Sequence, residues 1–303
     1  MKAKGLVQTC LMVGIILSVS CNNGNKKQEN SGETEQSITE ATTEAKNDLA
    51  TEKPYPWNFP EGIPLELELG QYVLSIHTFY PDKIVNSKDP VNEVYIFYNA
   101  TVDSVGRDKS KINGVVMPNS LIMPIPKAQK VKNGDIVLTW WQGGSGLQRA
   151  IIKDASNPEE PIADFLDLKY DDTKDDCMAI KFGNRKLKPN SFVKLEDGKW
   201  QPGMPVAYRV DGRWNKGTII NTSGDKVLIL GFAGKIKTSN KSVCKLIPIN
   251  GDFKKGDSVS AIFVGRFRDG YTVEKIDKAI GRVWVKRDNK VETLSILEVA
   301  KNL

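Results

Sequence analysis

One pattern occurs four times in this 303-residue chain. A Gly lies three residues before a Val at the start of a stretch of alternating apolar and polar residues, which is typical of a turn that leads into a β-strand. The four pairs are Gly70 and Val73, Gly134 and Val137, Gly203 and Val206, and Gly256 and Val259. A fixed pattern that recurs in this way predicts several copies of one folding unit.

Two further landmarks follow each pair in the same order. The first is a small residue that leads into β-branched residues, at Ala100, Ala150, Gly217 and, less clearly, Gly270. The second is a Ser that opens a closing apolar segment, at Ser120, Ser191, Ser242 and Ser295. The landmark glycines are 64, 69 and 53 residues apart, so each unit has the size of a small domain. We name the units repeat 1 (57–132), repeat 2 (133–198), repeat 3 (199–250) and repeat 4 (251–303).

Repeat 3 gives the clearest prediction of secondary structure. Turn signals at Asp211-Gly212 and at residues 223–225 separate alternating stretches, and Asp-Gly is a favoured hairpin dipeptide. The predicted strands are 206–210, 217–222, 226–232, a short one near Ile236, and 243–248. Five short strands in so few residues bury their apolar face best by curling into a small barrel. No stretch shows a helical period over more than two turns, so the sequence predicts an all-β fold.

Residues 206–219 resemble the opening of Tudor and Agenet domains, in which Val and Ala precede a turn, a Trp (here Trp214) and a small residue that leads into a strand. Residues 259–270 are similar, with Phe267 in the Trp position. Residues 137–152 are a looser match, and the segment from Gly70 is looser still, with an insertion at 81–92. The resemblance implies tandem small SH3-like, Tudor-like barrels, a fold that mostly mediates binding.

The N-terminus predicts export and lipid anchoring. Lys2 and Lys4 precede an apolar run from about Cys10 to Val19, which is too short for a comfortable membrane span. Residues 17–21 resemble the lipobox of bacterial lipoproteins, so we expect residues 1–20 to be removed and Cys21 to be acylated. Asn22 after this Cys favours the outer membrane of a Gram-negative bacterium. The alternative is an ordinary signal peptide that contains a Cys by chance.

Residues 21–56 are predicted to be a disordered tether. They are rich in Asn, Ser, Thr, Glu and Lys and have almost no large apolar side chain before Tyr55. Such a segment cannot bury enough surface to offset its ordering entropy. A flexible chain of this length has a reach of about 30–35 Å, which would hold the folded part away from the lipid.

Large aromatic residues are candidates for a ligand site. The resemblance implies an aromatic cage, because Tudor-type barrels often bind methylated side chains through the attraction of a cation to π faces. The candidate walls are Trp140, Trp141, Tyr208, Trp214, Phe232, Phe263, Phe267 and Trp284. The alternative is that these rings fill the cores of small domains and cover their hairpins.

Positive charge is concentrated in one repeat. The whole chain has a formal net charge of +6, whereas repeat 3 alone has nine basic and two acidic residues. Its candidate basic patch is Arg209, Arg213, Lys216, Lys235 and Lys237. An anionic glycan or lipid surface would suit this patch. The competing interpretations are a solvated face or docking onto acidic repeat 2, and a signal peptide argues against nucleic acid.

Cys177 and Cys244 are the thiols that remain if Cys10 is removed and Cys21 is acylated. An oxidising envelope would allow them to form a disulfide between repeats 2 and 3. The apolar strand pattern around Cys244 favours two separate buried thiols instead.

Composition argues against familiar catalysis. The chain has a single His, His77, which alternates with Val73 and Ser75 on a predicted strand and is therefore interpreted as structural. No phosphate-binding or dinucleotide motif is present, and we expect no metal or cofactor. The sequence thus predicts a non-catalytic binding or assembly lipoprotein of the envelope, whose partner is a protein or a cell-wall polymer. The alternative is an envelope enzyme or a glycan-binding accessory with a carboxylate-based site.

Overall fold

The computed structural model describes residues 55–144, 146–170 and 185–303, and β-strands form most of the regular structure in these ranges. Repeat 1 contains β1 (Tyr72–Ser75), β2 (Tyr98–Ser104), β3 (Lys109–Ile112), β4 (Val115–Pro118) and β5 (Ile122–Pro124). Repeat 2 contains β6 (Ile136–Trp140), β7 (Leu147–Asp154), β8 (Ile162–Phe165), β9 (Arg185–Lys186) and β10 (Val193–Lys194). Repeat 3 contains β11 (Pro205–Val210), β12 (Arg213–Ser223), β13 (Lys226–Leu230), β14 (Ile236–Asn240) and β15 (Cys244–Leu246). Repeat 4 contains β16 (Ser258–Phe263), β17 (Arg266–Asp277), β18 (Arg282–Arg287), β19 (Lys290–Ser295) and β20 (Val299–Ala300). The predicted all-β class is confirmed.

All four repeats have the same strand order. In each, the first four strands form an antiparallel meander, and the fifth strand returns to pair with the outer side of the first. In the described ranges no pairing joins the fourth strand of a repeat to its fifth strand. The closed barrels implied by the resemblance are therefore absent from the hydrogen-bonding pattern of these ranges, and each repeat contributes an open set of five strands.

The landmark glycines have a common structural role. Gly70, Gly134, Gly203 and Gly256 all have positive φ angles, of 70°, 86°, 88° and 90°. Glycine adopts this region at no steric cost, because it has no Cβ. Their N–H groups donate to the carbonyls of Val102, Ile152, Ile219 and Val273, each at 2.8 Å. The repeated Gly thus fixes the start of every first strand against the second.

The small-residue landmark lies just before a β-bulge in every repeat. The register of the second strand shifts directly after Val102, Ile152, Ile219 and Val273. A bulge inserts an extra residue and bends the strand. Four bulges at one position give the four sheets the same local bend.

The described helical segments are short. A π-helical segment (Tyr80–Asn86) and a 3-10 turn (Pro90–Asn92) occupy the predicted insertion of repeat 1. The other 3-10 turns are Asn119–Leu121, Phe232–Gly234, Lys241–Val243 and Ile296–Glu298. Three of these turns lie directly before the fifth strand of a repeat, and each contains or directly follows a landmark Ser. No helix in the described ranges combines the length and apolar character needed to cross a membrane.

The described residues from Tyr55 to Leu303 belong to one compact unit in which the repeats share a core. The largest cluster of buried apolar side chains contains residues from all four repeats. Trp57 belongs to this cluster, and its Nε1 donates to the carbonyl of Ile236 in repeat 3 at 3.1 Å. The Lys226 ammonium also donates to the carbonyl of Asn58 at 2.9 Å. The start of repeat 1 is therefore fixed to repeat 3 as well as to the rest of its own repeat.

Backbone contacts connect repeats 3 and 4 into one sheet. Asn215 of β12 pairs with Arg266 of β17, and the N–H of Lys216 donates to the carbonyl of Gly265 at 2.9 Å. A small apolar cluster of Ala207, Ile247, Phe267 and Ala300 lies at this junction, with Trp214 packed against it.

Candidate functional site

A surface groove of about 350 Å³ lies where β12 meets β17. The Asp211-Gly212 hairpin positions its repeat 3 side, since both residues have the positive φ angles of a tight two-residue turn, 50° and 75°. β12 and β17 each follow a hairpin turn, and the first residues of both strands line the groove. We call this the seam groove, and it is lined by Gly212, Arg213, Trp214, Arg266, Phe267, Arg268 and Asp269.

The seam groove is strongly cationic. Arg213, Arg266 and Arg268 are exposed in it, and within the described ranges none of them forms a salt bridge. The only acidic residue in the lining is Asp269, which accepts a hydrogen bond from Ser260 at 2.5 Å. Three guanidinium groups against one carboxylate give this surface an excess of positive charge. Such a surface attracts anions.

Aromatic rings near the seam groove already have cations of this chain on their faces. The guanidinium of Arg209 lies 4.7 Å from the ring centroid of Trp214, and the ammonium of Lys245 lies 5.4 Å from it. Arg268 lies 3.9 Å from the ring of Phe263. A methylated ammonium that approached these rings would therefore meet a cation that already contacts them.

The predicted cage residues of repeat 2 are packing residues. Trp140 is 1% exposed, and its ring lies 5.0 Å from that of Tyr72 in repeat 1. Trp141 packs against the apolar cluster of repeat 2. Trp140 is therefore a core residue in this structure, because neither face of its ring is open to solvent.

Tyr208 is buried beside two glycines of its own repeat. A Cβ added at Gly217 would lie 3.1 Å from the Tyr208 ring, and one at Gly231 would lie 2.3 Å from its hydroxyl. Burial also raises the pKa of Tyr208. The small landmark residue at 217 thus makes room for an interior tyrosine.

The remaining predicted aromatics lie in different places. Phe267 is nearly buried in the junction cluster, whereas Phe232 is 56% exposed and packs over Gly265. Trp284 makes an edge contact with Tyr170 at 6.1 Å and has the Lys275 ammonium 4.3 Å from its ring. The structure therefore distributes the eight predicted rings over several surfaces and cores.

The predicted basic patch divides between separate surfaces. Arg213 lines the seam groove, and Arg209 lies over Trp214 beside it. Lys216 forms an ion pair with Glu298 of repeat 4 at 2.8 Å. Lys235 donates to the carbonyl of Asn92 in repeat 1, while Lys237 is exposed on β14.

Cys244 is buried and has no disulfide partner among the described residues; its thiol donates to Ser239 Oγ at 3.3 Å, and burial raises its pKa. Cys177 lies outside the described residues, as does Cys21, so the disulfide and the acylation stay predictions. His77 is buried with Nδ1 3.3 Å from Ser75 Oγ, and burial lowers its pKa, which favours the neutral ring.

Sequence reasoning missed Arg266 and Arg268 because repeat 4 has no large excess of charge. Comparison of repeats 3 and 4 nevertheless contains a signal for these arginines. Arg213 is opposite the last residue of β11, and Arg266 is opposite the last residue of β16. The two arginines thus occupy equivalent positions, as Trp214 and Phe267 do, and this equivalence would have predicted a two-repeat site.

A second set of charged residues that the sequence did not predict is buried among repeats 2, 3 and 4. Arg149 is 2% exposed and forms a salt bridge with Asp167 through Nη2, while its Nε donates to the same carboxylate at 3.0 Å. Arg282 donates to the carbonyls of Phe165 and Leu166, at 2.7 and 3.2 Å. Burial disfavours the charged carboxylate of Asp167, but the Arg149 guanidinium outweighs this effect and lowers its pKa.

Comparison with protein-family models and with curated proteins gives no match to this chain.

Proposed function

We propose that this protein is a non-catalytic binding lipoprotein of a bacterial cell envelope, and that its seam groove binds an anionic polymer of that envelope. The observation that carries the proposal is the convergence of Arg213, Arg266 and Arg268 on one groove. The repeats contribute these side chains from equivalent hairpins. A linear polymer with repeated anionic groups would contact several of them at once, and multiple charge-assisted contacts reinforce one another.

The surroundings of the groove favour an anionic ligand over a methylated cation. Arg209, Lys245 and Arg268 already lie over the aromatic rings, and each of them repels a second cation. Phosphate and carboxylate groups fit exposed guanidinium groups, which present paired donors in a planar fork. The ligand class is thus opposite in charge to the one implied by the Tudor resemblance.

The lining also favours binding over acid–base catalysis. Asp269 is its single carboxylate, and this group is engaged by Ser260. A glycosidase site needs two carboxyl groups that flank the scissile bond. The groove residues have no such pair, so they fit a ligand without providing a general acid and base.

Neutralising two groove arginines tests the proposal. We expect the double variant Arg213→Gln/Arg266→Gln to bind labelled polyphosphate or polygalacturonate at least about tenfold more weakly, because each lost charge-assisted contact contributes roughly 1.5–3 kcal/mol. Fluorescence anisotropy measures the affinity, with neutral dextran as the uncharged comparison. The affinity of the unmodified protein should also fall as salt is added.

The matched control is Arg107→Gln/Lys237→Gln, which removes the same charge from exposed positions outside the groove lining. Binding that is equally weakened in both double variants would indicate a general charge effect and contradict a groove. Tighter binding of dextran than of the anionic polymers would contradict the ligand class.

Removing the acylated thiol tests the anchoring. We expect Cys21→Ser to abolish incorporation of labelled palmitate and to release the protein from the membrane fraction, because several acyl chains are what hold such a protein stably at a bilayer. Cys10→Ser is the matched control, since it changes a Cys within the predicted signal peptide. Palmitate labelling that persists in Cys21→Ser would contradict the lipoprotein assignment.

A further inference from the structure

A second cavity lies beside the β12–β17 junction and shares no lining residue with the seam groove. Its volume is about 220 Å³, enough for several water molecules at about 30 Å³ each or for one group of amino-acid size. We call it the Arg149 cavity, and the lining residues that matter here are Arg149, Lys216, Thr218, Leu230, Phe232 and Gly265.

The two cations of this cavity occupy equivalent positions in adjacent repeats. Arg149 lies directly before the landmark Ala150, and Lys216 lies directly before the landmark Gly217. Ala150 pairs with Val137 and Gly217 pairs with Val206, so the register of both hairpins is the same. The packing of repeat 2 against repeat 3 therefore brings two repeat-equivalent cations to one cavity.

Arg149 has hydrogen-bonding capacity that the protein does not use. Its Nε and Nη2 contact Asp167, but its Nη1 has no hydrogen-bond partner within the described residues. A buried donor without a partner is costly, and for a charged group the cost is larger. In the same part of the chain the Lys216 ammonium, which has three donors, donates to Glu298 alone. An anion that entered this cavity would accept hydrogen bonds from the unused donors of both cations.

The local charge balance allows this anion. Asp167 and Glu298 offset Arg149 and the half-buried Lys216, and the nearby Asp164 offsets its partner Lys153. Arg282 adds a buried cation that donates to two carbonyls. These seven groups therefore have a net charge of about +1, and one bound carboxylate would neutralise it.

The rest of the lining is apolar or small. Leu230 and the 56% exposed Phe232 provide an apolar wall. Gly265, with a φ of 74°, lies so close to Phe232 that an added Cβ would be 2.4 Å from the ring. Glycine at this position therefore allows the ring to pack against the cavity edge, where it offers an apolar contact to a ligand.

We propose that the Arg149 cavity binds a small carboxylate with an apolar substituent, such as the C-terminal residue of a peptide. The carboxylate accepts from Arg149 Nη1 and from the Lys216 ammonium. The substituent packs against Phe232 and Leu230. This site is independent of polymer binding in the seam groove.

Isothermal titration calorimetry with N-acetylphenylalanine tests this site in the purified protein. We expect saturable binding that is at least about tenfold tighter than that of N-acetylphenylalanine amide, because the amide lacks the charge that the two cations recognise. Lys216→Met should weaken the carboxylate at least about tenfold. Glu298 keeps a partner in this variant, since its Oε2 also accepts from the N–H of Ser295. Lys237→Met is the matched control and should leave the affinity unchanged.

Phe232→Ala provides a second measurement that does not depend on a buried ion pair. The ring is exposed, so the fold should persist, and the advantage of N-acetylphenylalanine over acetate should shrink several-fold. Equal affinity for the carboxylate and the amide, or no saturable binding, would overturn the proposal. Unchanged affinity in Lys216→Met would do the same, and stronger binding of inorganic phosphate would overturn the assigned ligand class.

Discussion

Arg149→Met is expected to lower the free energy of unfolding by about 3–5 kcal/mol, because it leaves the buried Asp167 carboxylate without its cation. The Arg149 backbone N–H remains as a partner at 2.7 Å, so Asp167 is not fully orphaned. Denaturant unfolding measures the change, which is a large part of a typical domain stability of about 5–15 kcal/mol. By contrast, Lys199→Met removes the exposed pair with Glu196 and should cost about 0–1 kcal/mol.

The pH dependence separates a lost ion pair from a lost packing contact. In the unmodified protein the pKa of Asp167 is lowered, so its contribution is present above the unfolded pKa and is lost as the pH falls through the folded value. In Arg149→Met the strongest influence that lowers this pKa is lost, so burial outweighs the remaining Arg149 N–H and Lys216 and raises the pKa of Asp167. The loss of stability relative to the unmodified protein is therefore smallest under acidic conditions. The difference in the free energy of unfolding between the two proteins should therefore become smaller as the pH falls. A difference that is the same at neutral and acidic pH would contradict the ion-pair account.

A charge-removing partner variant completes this experiment. Arg149→Met/Asp167→Asn has no uncompensated charge, and it should be more stable than Arg149→Met alone at neutral pH. If the double variant is no more stable, the loss in the single variant arises from the missing side-chain volume.

Gly203→Ala is expected to be the most damaging alanine substitution among the four landmark glycines. Its φ of 88° strains any residue with a Cβ by about 1–2 kcal/mol. The new Cβ would also lie 2.9 Å from the buried side chain of Leu138 in repeat 2, and overpacking of this kind adds about 1–3 kcal/mol. We therefore expect a loss of roughly 2–5 kcal/mol in thermal or denaturant unfolding.

Gly256→Ala is the matched control for this substitution. Its φ of 90° is nearly the same, but no atom lies within 4 Å of the added Cβ. We expect only the strain of about 1–2 kcal/mol. Equal losses of stability in the two variants would mean that the close approach of the new Cβ to Leu138 adds nothing to the effect of the substitution in repeat 3.

The features that were predictable from sequence are the ones that short segments determine. The landmark Gly residues, the Asp211-Gly212 turn and the alternating strands are local, so the strands of repeat 3 agree with the prediction to within a few residues. Barrel closure and the structure of the insertion in repeat 1 could not be predicted in this way. Closure depends on pairing between strands distant in sequence, and the seven-residue helical segment at Tyr80–Asn86 is too short to show a helical period.

The candidate site could be predicted only in part, because it depends on how repeats pack. Arg213 and Trp214 stood out from the charge and aromatic content of repeat 3. Arg149 has the sequence context of an ordinary strand residue, and only its position between repeats makes it buried. The sequence also does not show that Phe232 is exposed and Trp140 is buried, since aromatic side chains occur both in interiors and on surfaces.

The attachment of Trp57 to repeat 3 has a mechanical consequence. If the chain is anchored through Cys21, as proposed, a pull on its folded part enters the described chain at Tyr55. That force does not reach the sheet of repeat 1 alone, because Trp57 and Asn58 pass part of it directly to Ile236 and Lys226. The load is thereby shared between two repeats at its point of entry, and extension of the first repeat requires extraction of the Trp57 ring from the common core.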